Sequence, residues 1–93
     1  MKIYKFTLEV TDEQTIEIKG LCRILSACVQ REKIVVYCMV DEKISPPEKV
    51  KFSIIGTGHE FNPRFKQFLG TVSMFNGDLM WHVFYSIGHL KSV

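Results

Sequence analysis

The dipeptide Asn76-Gly77 constrains this chain more than any other feature of its sequence. Asn and Gly readily take the two positive φ angles of a type I′ turn, whose twist matches that of two antiparallel strands. Alternating segments flank the dipeptide at residues 68–75 and 78–85. In the second segment both sets of alternating residues are largely apolar, so both faces of that strand are expected to be covered. The sequence therefore predicts a C-terminal β-hairpin.

The first ten residues also alternate between apolar and polar side chains. A period of two indicates a half-buried strand, which the pattern extends to Val10. The residues expected on its inner face are Tyr4, Phe6, Leu8 and Val10. Similar patterns predict strands at 15–18 and 50–55. The apolar run 34–40 predicts a strand that is buried on both faces, or one with a face covered by a partner.

The segment 20–30 is compatible with two structures. Alternation within it favours a strand whose inward residues are Leu25, Ala27 and Val29. In a helix, Leu21, Leu25 and Cys28 would share one face. Ser26, Cys28 and Val29 are mediocre helix formers, which favours the strand.

Seven short strands with turn signals about every 8–12 residues predict an all-β fold, either a small sandwich or a partly open barrel. The alternative is an α+β domain in which residues 20–30 are helical. A chain of 93 residues is expected to form a single domain, 1–93. Ser45-Pro46-Pro47 predicts a surface loop, and 60–66 predicts a loop with room for one helical turn.

Composition narrows the classes of partner and compartment. The net charge is +2, with 12 basic and 10 acidic residues interspersed, which disfavours a nucleic-acid partner. Three cysteines without a C-x-x-C pair predict neither a disulfide framework nor a cysteine zinc site. The chain opens with an alternating segment rather than an apolar signal sequence, and its longest apolar run, 34–40, is too short to span a membrane. A reduced cytoplasm is the expected compartment.

The tetrad Gly56-Thr57-Gly58-His59 is the first candidate binding feature. Two glycines allow close approach of a ligand and expose amide groups that can hold an anion. A threonine hydroxyl and an imidazole beside them would complete a phosphate or sugar pocket. The tetrad matches neither common nucleotide-binding motif. It is also compatible with an ordinary tight turn after a strand.

No catalytic or metal-binding set is expected. The histidines His59, His82 and His89 lack the spacing of metal ligands. His82 is expected to be a half-buried histidine with satisfied hydrogen bonds. Cys28 and Cys38 lie in apolar strands, where burial would raise the thiol pKa and make them inert. The sequence therefore predicts a protein that is not an enzyme and needs no cofactor.

Surplus apolar surface is the stronger indication of function. The segments 34–40 and 79–87 are apolar on both faces, which is more than a sandwich of this size readily hides. A partner surface is therefore expected. An identical subunit related by a two-fold axis is the most common solution, so the sequence predicts a homo-oligomer.

The chain resembles a family of short phage and prophage proteins of unknown function. The resemblance rests mainly on the block 11–16 (Thr-Asp-Glu-Gln-Thr-Ile) and on the tetrad 56–59, and it covers nearly the whole chain. Weaker correspondences lie at 3–6, 24–26, 68–72 and 81–84. Residues 31–50 depart from the family pattern.

The resemblance implies a phage protein that acts in the host cytoplasm. Small phage proteins without catalytic residues are frequently inhibitors of bacterial defence, and one form is an oligomeric sponge that sequesters a nucleotide-type signal without cleaving it. In such a sponge the tetrad 56–59 would bind phosphate, while Trp81 or Tyr4 would stack on a base. The alternatives are a module that docks onto and inhibits a host protein, and a minor virion component.

Overall fold

The computed structural model describes residues 1–44 and 46–88. These residues form strands and connecting loops and contain no α-helix. The strands are β1 (Lys2–Leu8), β2 (Glu13–Ile18), β3 (Leu21–Gln30), β4 (Lys33–Val40), β5 (Glu48–Gly56), β6 (Gln67–Met74) and β7 (Leu79–Ile87). Within the described part of the chain, no helical segment has the length and apolar character needed to cross a membrane.

The strands form two antiparallel sheets, so the predicted all-β sandwich is confirmed. The first sheet has the order β1-β4-β3, and the second has the order β2-β5-β7-β6. The β3 edge of the first sheet lies against the β6 edge of the second, but no hydrogen-bonded ladder closes the sheets into a barrel. The inner faces share one core, which includes Ile34, Phe52 and Val83. The apolar residues of alternating strands supply this core because successive side chains point to opposite faces.

The first strand ends at Leu8, two residues earlier than the alternation predicts. Val10 is 48% exposed and lies outside the core. The chain turns here because the Gln14 side chain accepts a hydrogen bond from the Glu9 backbone N–H at 2.9 Å and donates one to the Glu9 carbonyl at 2.6 Å. This turn carries the chain from the first sheet to the second, so Val10 cannot continue the inward row.

The helical alternative for residues 20–30 is wrong, because β3 pairs with β4 along the whole segment. Two register shifts interrupt this ladder, between Leu21 and Arg23 and between Ile24 and Ser26. Each bulge adds a residue and rotates the following side chains. The inward residues are therefore Leu21, Ile24, Ala27 and Val29. Their spacing of about three residues imitates a helical period, and Leu25, which was expected to face inward, is 38% exposed.

The predicted C-terminal hairpin joins β6 to β7. Asn76 and Gly77 have φ angles of 56° and 92°, and the Asp78 N–H donates to the Phe75 carbonyl at 3.0 Å, as expected for a type I′ turn. Phe75 also has a positive φ of 54°. Pro46 and Pro47 lie on an exposed loop, as predicted, while Ser45 lies outside the described residues. The loop after β5 contains turns rather than a helical turn.

The two segments expected to carry surplus apolar surface differ in the structure. Strand β4 is well covered, and even Val35, on the outer face, is only 2% exposed. The outer face at Val35 is flanked by Lys5 and Gln30, whose side chains are hydrogen-bonded to each other at 2.8 Å. The expectation of surplus surface is therefore wrong for β4. It remains for β7, where Leu79 and Met80 are each 40% exposed.

Candidate functional site

The tetrad 56–59 forms a tight turn at the end of β5. The His59 N–H donates to the Gly56 carbonyl at 3.1 Å, which closes a four-residue turn. Gly58 has a φ of 88°, and positive φ at the third position is typical of a type II turn. Glycine is favoured there because a Cβ atom would strain this backbone conformation. The turn fixes the direction in which Thr57 and His59 leave the strand.

Gly56 brings the turn and strand β7 into close contact. It is paired with Trp81 across the β5–β7 ladder. A Cβ atom at Gly56 would lie 3.1 Å from His59 Nδ1 and 3.2 Å from Trp81 Cζ3. The missing side chain therefore allows an imidazole and an indole to approach the same backbone atom.

These residues surround an open cavity of about 270 Å³, which we call the glycine-turn cavity. Its lining residues are Gly56, Thr57, His59, Asp78, Leu79, Met80 and Trp81. Four of the six residues that the sequence singled out for ligand binding thus share one cavity, and Gly58 supports it from within the turn. The lining is mixed: a threonine, a histidine and an aspartate accompany large apolar residues.

The residues 78–80 are the part of the cavity that sequence reasoning missed. They lie beside the tetrad because β5 and β7 are antiparallel, so the residues before Trp81 adjoin those after Gly56. Only knowledge of this strand pairing would have identified them. Leu79 and Met80 contribute exposed apolar surface at the cavity, and Asp78 contributes a negative charge.

His82 holds the threonine of the tetrad in place. Its Nε2 atom lies 2.8 Å from the Thr57 hydroxyl, and its Nδ1 atom lies 2.9 Å from the Thr71 hydroxyl. In a neutral imidazole one ring nitrogen donates and the other accepts, and hydroxyl groups can serve either role. The expectation of a half-buried, hydrogen-bonded histidine is confirmed. His82 ties the turn to β6 and β7.

Trp81 carries an unsatisfied polar group. Its indole N–H is buried and has no hydrogen-bond acceptor among the described residues. A buried donor without a partner costs about 1–3 kcal/mol. The rest of the side chain packs partly against the shared core. Trp81 is therefore both a packing residue and a wall of the glycine-turn cavity.

Tyr4 lies away from this cavity, on β1 of the first sheet. Its hydroxyl donates a hydrogen bond to Glu42 Oε2 at 2.8 Å. This hydrogen bond to a carboxylate is the main cause that raises the Tyr4 pKa above its usual value. The structure thus does not bring Tyr4 together with the other predicted ligand-binding residues.

The three thiols lie in different environments. Cys38 is buried in β4, and desolvation raises its pKa to about 11. Cys22 and Cys28 are exposed, so the expectation that Cys28 is buried in an apolar strand is wrong. Ala27 and Val29 face inward, so alternation places Cys28 opposite Val35 on the outer face. Within residues 1–44 and 46–88, no cluster of three or more potential metal ligands occurs, and His89 lies outside the described residues.

Comparison with known proteins identifies one family. Residues 1–91 match the family described as Domain of unknown function (DUF7352). No curated protein and no solved structure shows significant similarity to the chain.

Proposed function

The chain belongs to the DUF7352 family, and we propose that it is a phage-encoded binding protein that inhibits bacterial defence in the host cytoplasm. In this proposal it acts as an oligomeric sponge, which sequesters a nucleotide-type signal without cleaving it. The phage origin rests on the resemblance of the block 11–16 and the tetrad 56–59. The ligand site is the glycine-turn cavity.

The observation that carries this proposal is the convergence of the tetrad with Trp81. A glycine turn, Thr57 and His59 line the same cavity as the large aromatic side chain of Trp81. Nucleotides combine hydrogen-bonding groups with a planar base, and aromatic side chains bind bases by stacking.

The charge of Asp78 limits how a nucleotide can lie in the cavity. A carboxylate repels phosphate but accepts hydrogen bonds from the hydroxyl groups of a sugar or the amino groups of a base. The phosphate would therefore lie on the side of Gly58 and His59, with the sugar or base toward Asp78. This arrangement requires no nucleophile or metal.

A second subunit would complete the cavity. Its volume of about 270 Å³ lies just below the range of about 300–1,000 Å³ typical of small-molecule sites. The exposed side chains of Leu79 and Met80 line it, and Phe75 is 52% exposed at the hairpin between β6 and β7. An apolar surface that continues into a cavity favours closure by an identical subunit, which would bury the surface and enclose the ligand.

The test is retention of an intact ligand. The protein is incubated with a panel of cyclic mono-, di- and trinucleotides, freed of unbound ligand, and heated to release what it holds. We expect one class of nucleotide to be retained in about stoichiometric amount and released with unchanged mass. Release of a cleaved product, or failure to retain any of the nucleotides, would contradict the sponge.

Two glycine variants provide a matched pair for this test. Gly56→Ala places a methyl group between His59 and Trp81, which narrows the cavity. Gly70→Ala lies in β6, where a Cβ atom meets nothing within 4 Å. We expect Gly56→Ala to weaken retention at least about tenfold, equivalent to about 1.4 kcal/mol, and Gly70→Ala to retain ligand as the wild type does.

A protein-binding module that inhibits a host protein is the second candidate. The observation that favours it is the exposure of large apolar residues beyond the cavity, such as Phe61, Phe65 and Phe68. Aromatic residues are enriched at protein interfaces. Affinity purification from host lysate separates the candidates: a stoichiometric protein favours the module, and a small molecule that copurifies favours the sponge. Recovery in purified virions would instead indicate a minor virion component.

A further inference from the structure

A second cavity lies at the opposite end of strands β5 and β7 from the glycine turn. Its volume is about 370 Å³, and its lining residues are Thr15, Lys49, Lys51, Phe65, Ser86, Ile87 and Gly88. Lys51 is paired with Thr15 on one side and with Ser86 on the other, so these three side chains form a row across the second sheet. The volume lies within the range typical of small-molecule sites.

Two lysines, Lys49 and Lys51, line this lysine–phenylalanine cavity and supply its positive charge. Lys51 lies 3.9 Å from Glu13, but both side chains are half exposed, and such pairs contribute little. Glu13 is also shared with Lys66, at 3.4 Å. Lys49 lies opposite Glu17 across the β2–β5 ladder, yet it forms no salt bridge with any described residue. The two lining lysines are therefore available to an anion, and the Thr15 and Ser86 hydroxyls can add hydrogen bonds.

Phe65 lines this cavity although its position is unfavourable in two respects: the ring is exposed to solvent and the backbone is strained. It is 76% exposed, the highest exposure of any large apolar residue among those described. Its φ is 60°, a left-handed conformation that costs an ordinary residue about 1–2 kcal/mol. Strained residues of this kind cluster at ligand-binding sites.

The local structure holds the Phe65 ring in this position. The Lys66 N–H donates to the Pro63 carbonyl at 3.1 Å, and the Arg64 N–H donates to Asn62 Oδ1 at 3.0 Å. Phe65 thus occupies the third position of a turn where glycine or asparagine is usual. The Arg64 guanidinium lies 5.1 Å from the ring centroid, which adds a third cation near the cavity.

We propose that the lysine–phenylalanine cavity is a second ligand site, which binds a small anion carrying a planar ring. The anionic group, a phosphate or a carboxylate, contacts Lys49 and Lys51, and the ring stacks on Phe65. Lysine is a common ligand of phosphate, and stacking on an aromatic side chain contributes about 1–3 kcal/mol. This site is separate from the glycine-turn cavity and does not depend on the sponge proposal.

The test uses phenyl phosphate as the probe and the full chain as the protein. NMR titration follows the backbone amides of Lys49, Lys51 and Ser86, with inorganic phosphate and phenol as separate arms. We expect saturable binding of phenyl phosphate at least about tenfold tighter than either fragment, because charge and ring are both recognised. Benzoate in a further arm distinguishes a carboxylate from a phosphate.

Phe65→Gly separates a binding role from a structural one. Glycine relieves the positive φ, so the midpoint of thermal unfolding should stay unchanged or rise by a few degrees, about 2–4 °C. The loss of the ring should weaken the binding of phenyl phosphate at least about tenfold. Phe75→Gly is the matched control, since Phe75 is also exposed and has a φ of 54° but does not line this cavity.

Lysine variants keep the test decisive if Phe65→Gly alters folding. Lys49→Met and Lys51→Met should each weaken the binding of phenyl phosphate at least about fivefold. Lys33→Met, on the other sheet, should leave this binding unchanged. Trp81 is the only tryptophan and lies at the glycine-turn cavity, so its fluorescence should not change. Lack of saturation at about 10 mM, wild-type affinity in Phe65→Gly and both lysine variants, or quenching of Trp81 without shifts at Lys49 and Lys51 would overturn the proposal.

Discussion

Strands β4 and β7 are similarly apolar in sequence but differ in burial. Five of the eight residues of β4 are buried, whereas only Val83 is buried among the nine residues of β7. Both strands have a neighbour on each side. They differ in the exposure of their apolar side chains: Val35 on the outer face of β4 is 2% exposed, while Leu79 and Met80, where β7 begins at the open glycine-turn cavity, are each 40% exposed.

The comparison shows that apolar content alone does not separate core from interface. In β4 the apolar residues stabilise the fold, because the same molecule covers both faces. In β7 the surplus apolar residues are partly exposed, and they lie beside a cavity and an unsatisfied indole N–H. We therefore assign the stability of the domain mainly to the shared core, and the proposed binding role to β7.

Alanine substitutions in the two strands should differ most in their effect on the free energy of unfolding. Ile34→Ala removes a fully buried side chain of β4 and should lower the free energy of unfolding by about 3 kcal/mol. Leu79→Ala changes a side chain that is 40% exposed and should cost less than about 1 kcal/mol. Urea denaturation at low protein concentration measures both, because association then contributes little. Equal costs would contradict the contrast.

The Cys38 thiol should make the stability of the domain depend on alkaline pH. Its pKa is raised from 9.0 to about 11 by desolvation in the folded state. Below pH 9 the thiol is protonated in both states and its contribution is complete. As the pH rises from 9 toward 11, the unfolded state ionises first and stability falls by about 2 kcal/mol.

Cysteine variants show whether the Cys38 thiol causes this pH dependence of stability. Chemical denaturation at several pH values should show that Cys38→Ala loses the decline, although the substitution also lowers the stability at neutral pH. Cys22→Ala changes an exposed thiol and should keep the decline. A decline that survives in Cys38→Ala would show that another group causes it.

Substitutions in the hairpin turns that lead into β4 and β7 should change the free energy of unfolding in opposite directions. Arg31 and Glu32 have positive φ angles of 53° and 63°, although Asn and Gly are the usual residues at such positions. Glu32→Gly should therefore raise the free energy of unfolding by about 0.5–1 kcal/mol, while Gly77→Ala, at φ 92°, should lower it by about 1 kcal/mol. Thermal denaturation of both variants checks the signs, and a loss of stability in Glu32→Gly would contradict them.

Much of the fold follows from local patterns. Alternation and the Asn76-Gly77 turn located all seven strands to within a few residues, because side-chain period and turn conformation are local properties. The bulges of β3 were not predictable, since they arise from its pairing with β4. The same holds for Val10, where the Gln14 side chain turns the chain away.

The candidate site could be predicted from the sequence only in part. The tetrad 56–59 and Trp81 stand out by residue type, and the register of β5 and β7 brings them together. That same register adds Asp78, which no local pattern could indicate, while Tyr4 lies on the other sheet. The position of Phe65 depends on a strained turn that sequence periodicity does not encode.

Native mass spectrometry of the protein, purified from the cells that naturally produce it, tests the proposed role of β7 most directly. It reports the number of subunits and any retained small molecule in one experiment. We expect an oligomer that holds a small molecule, which Gly56→Ala loses and Gly70→Ala keeps. A ligand-free monomer at tens of micromolar, confirmed by sedimentation, would contradict the account.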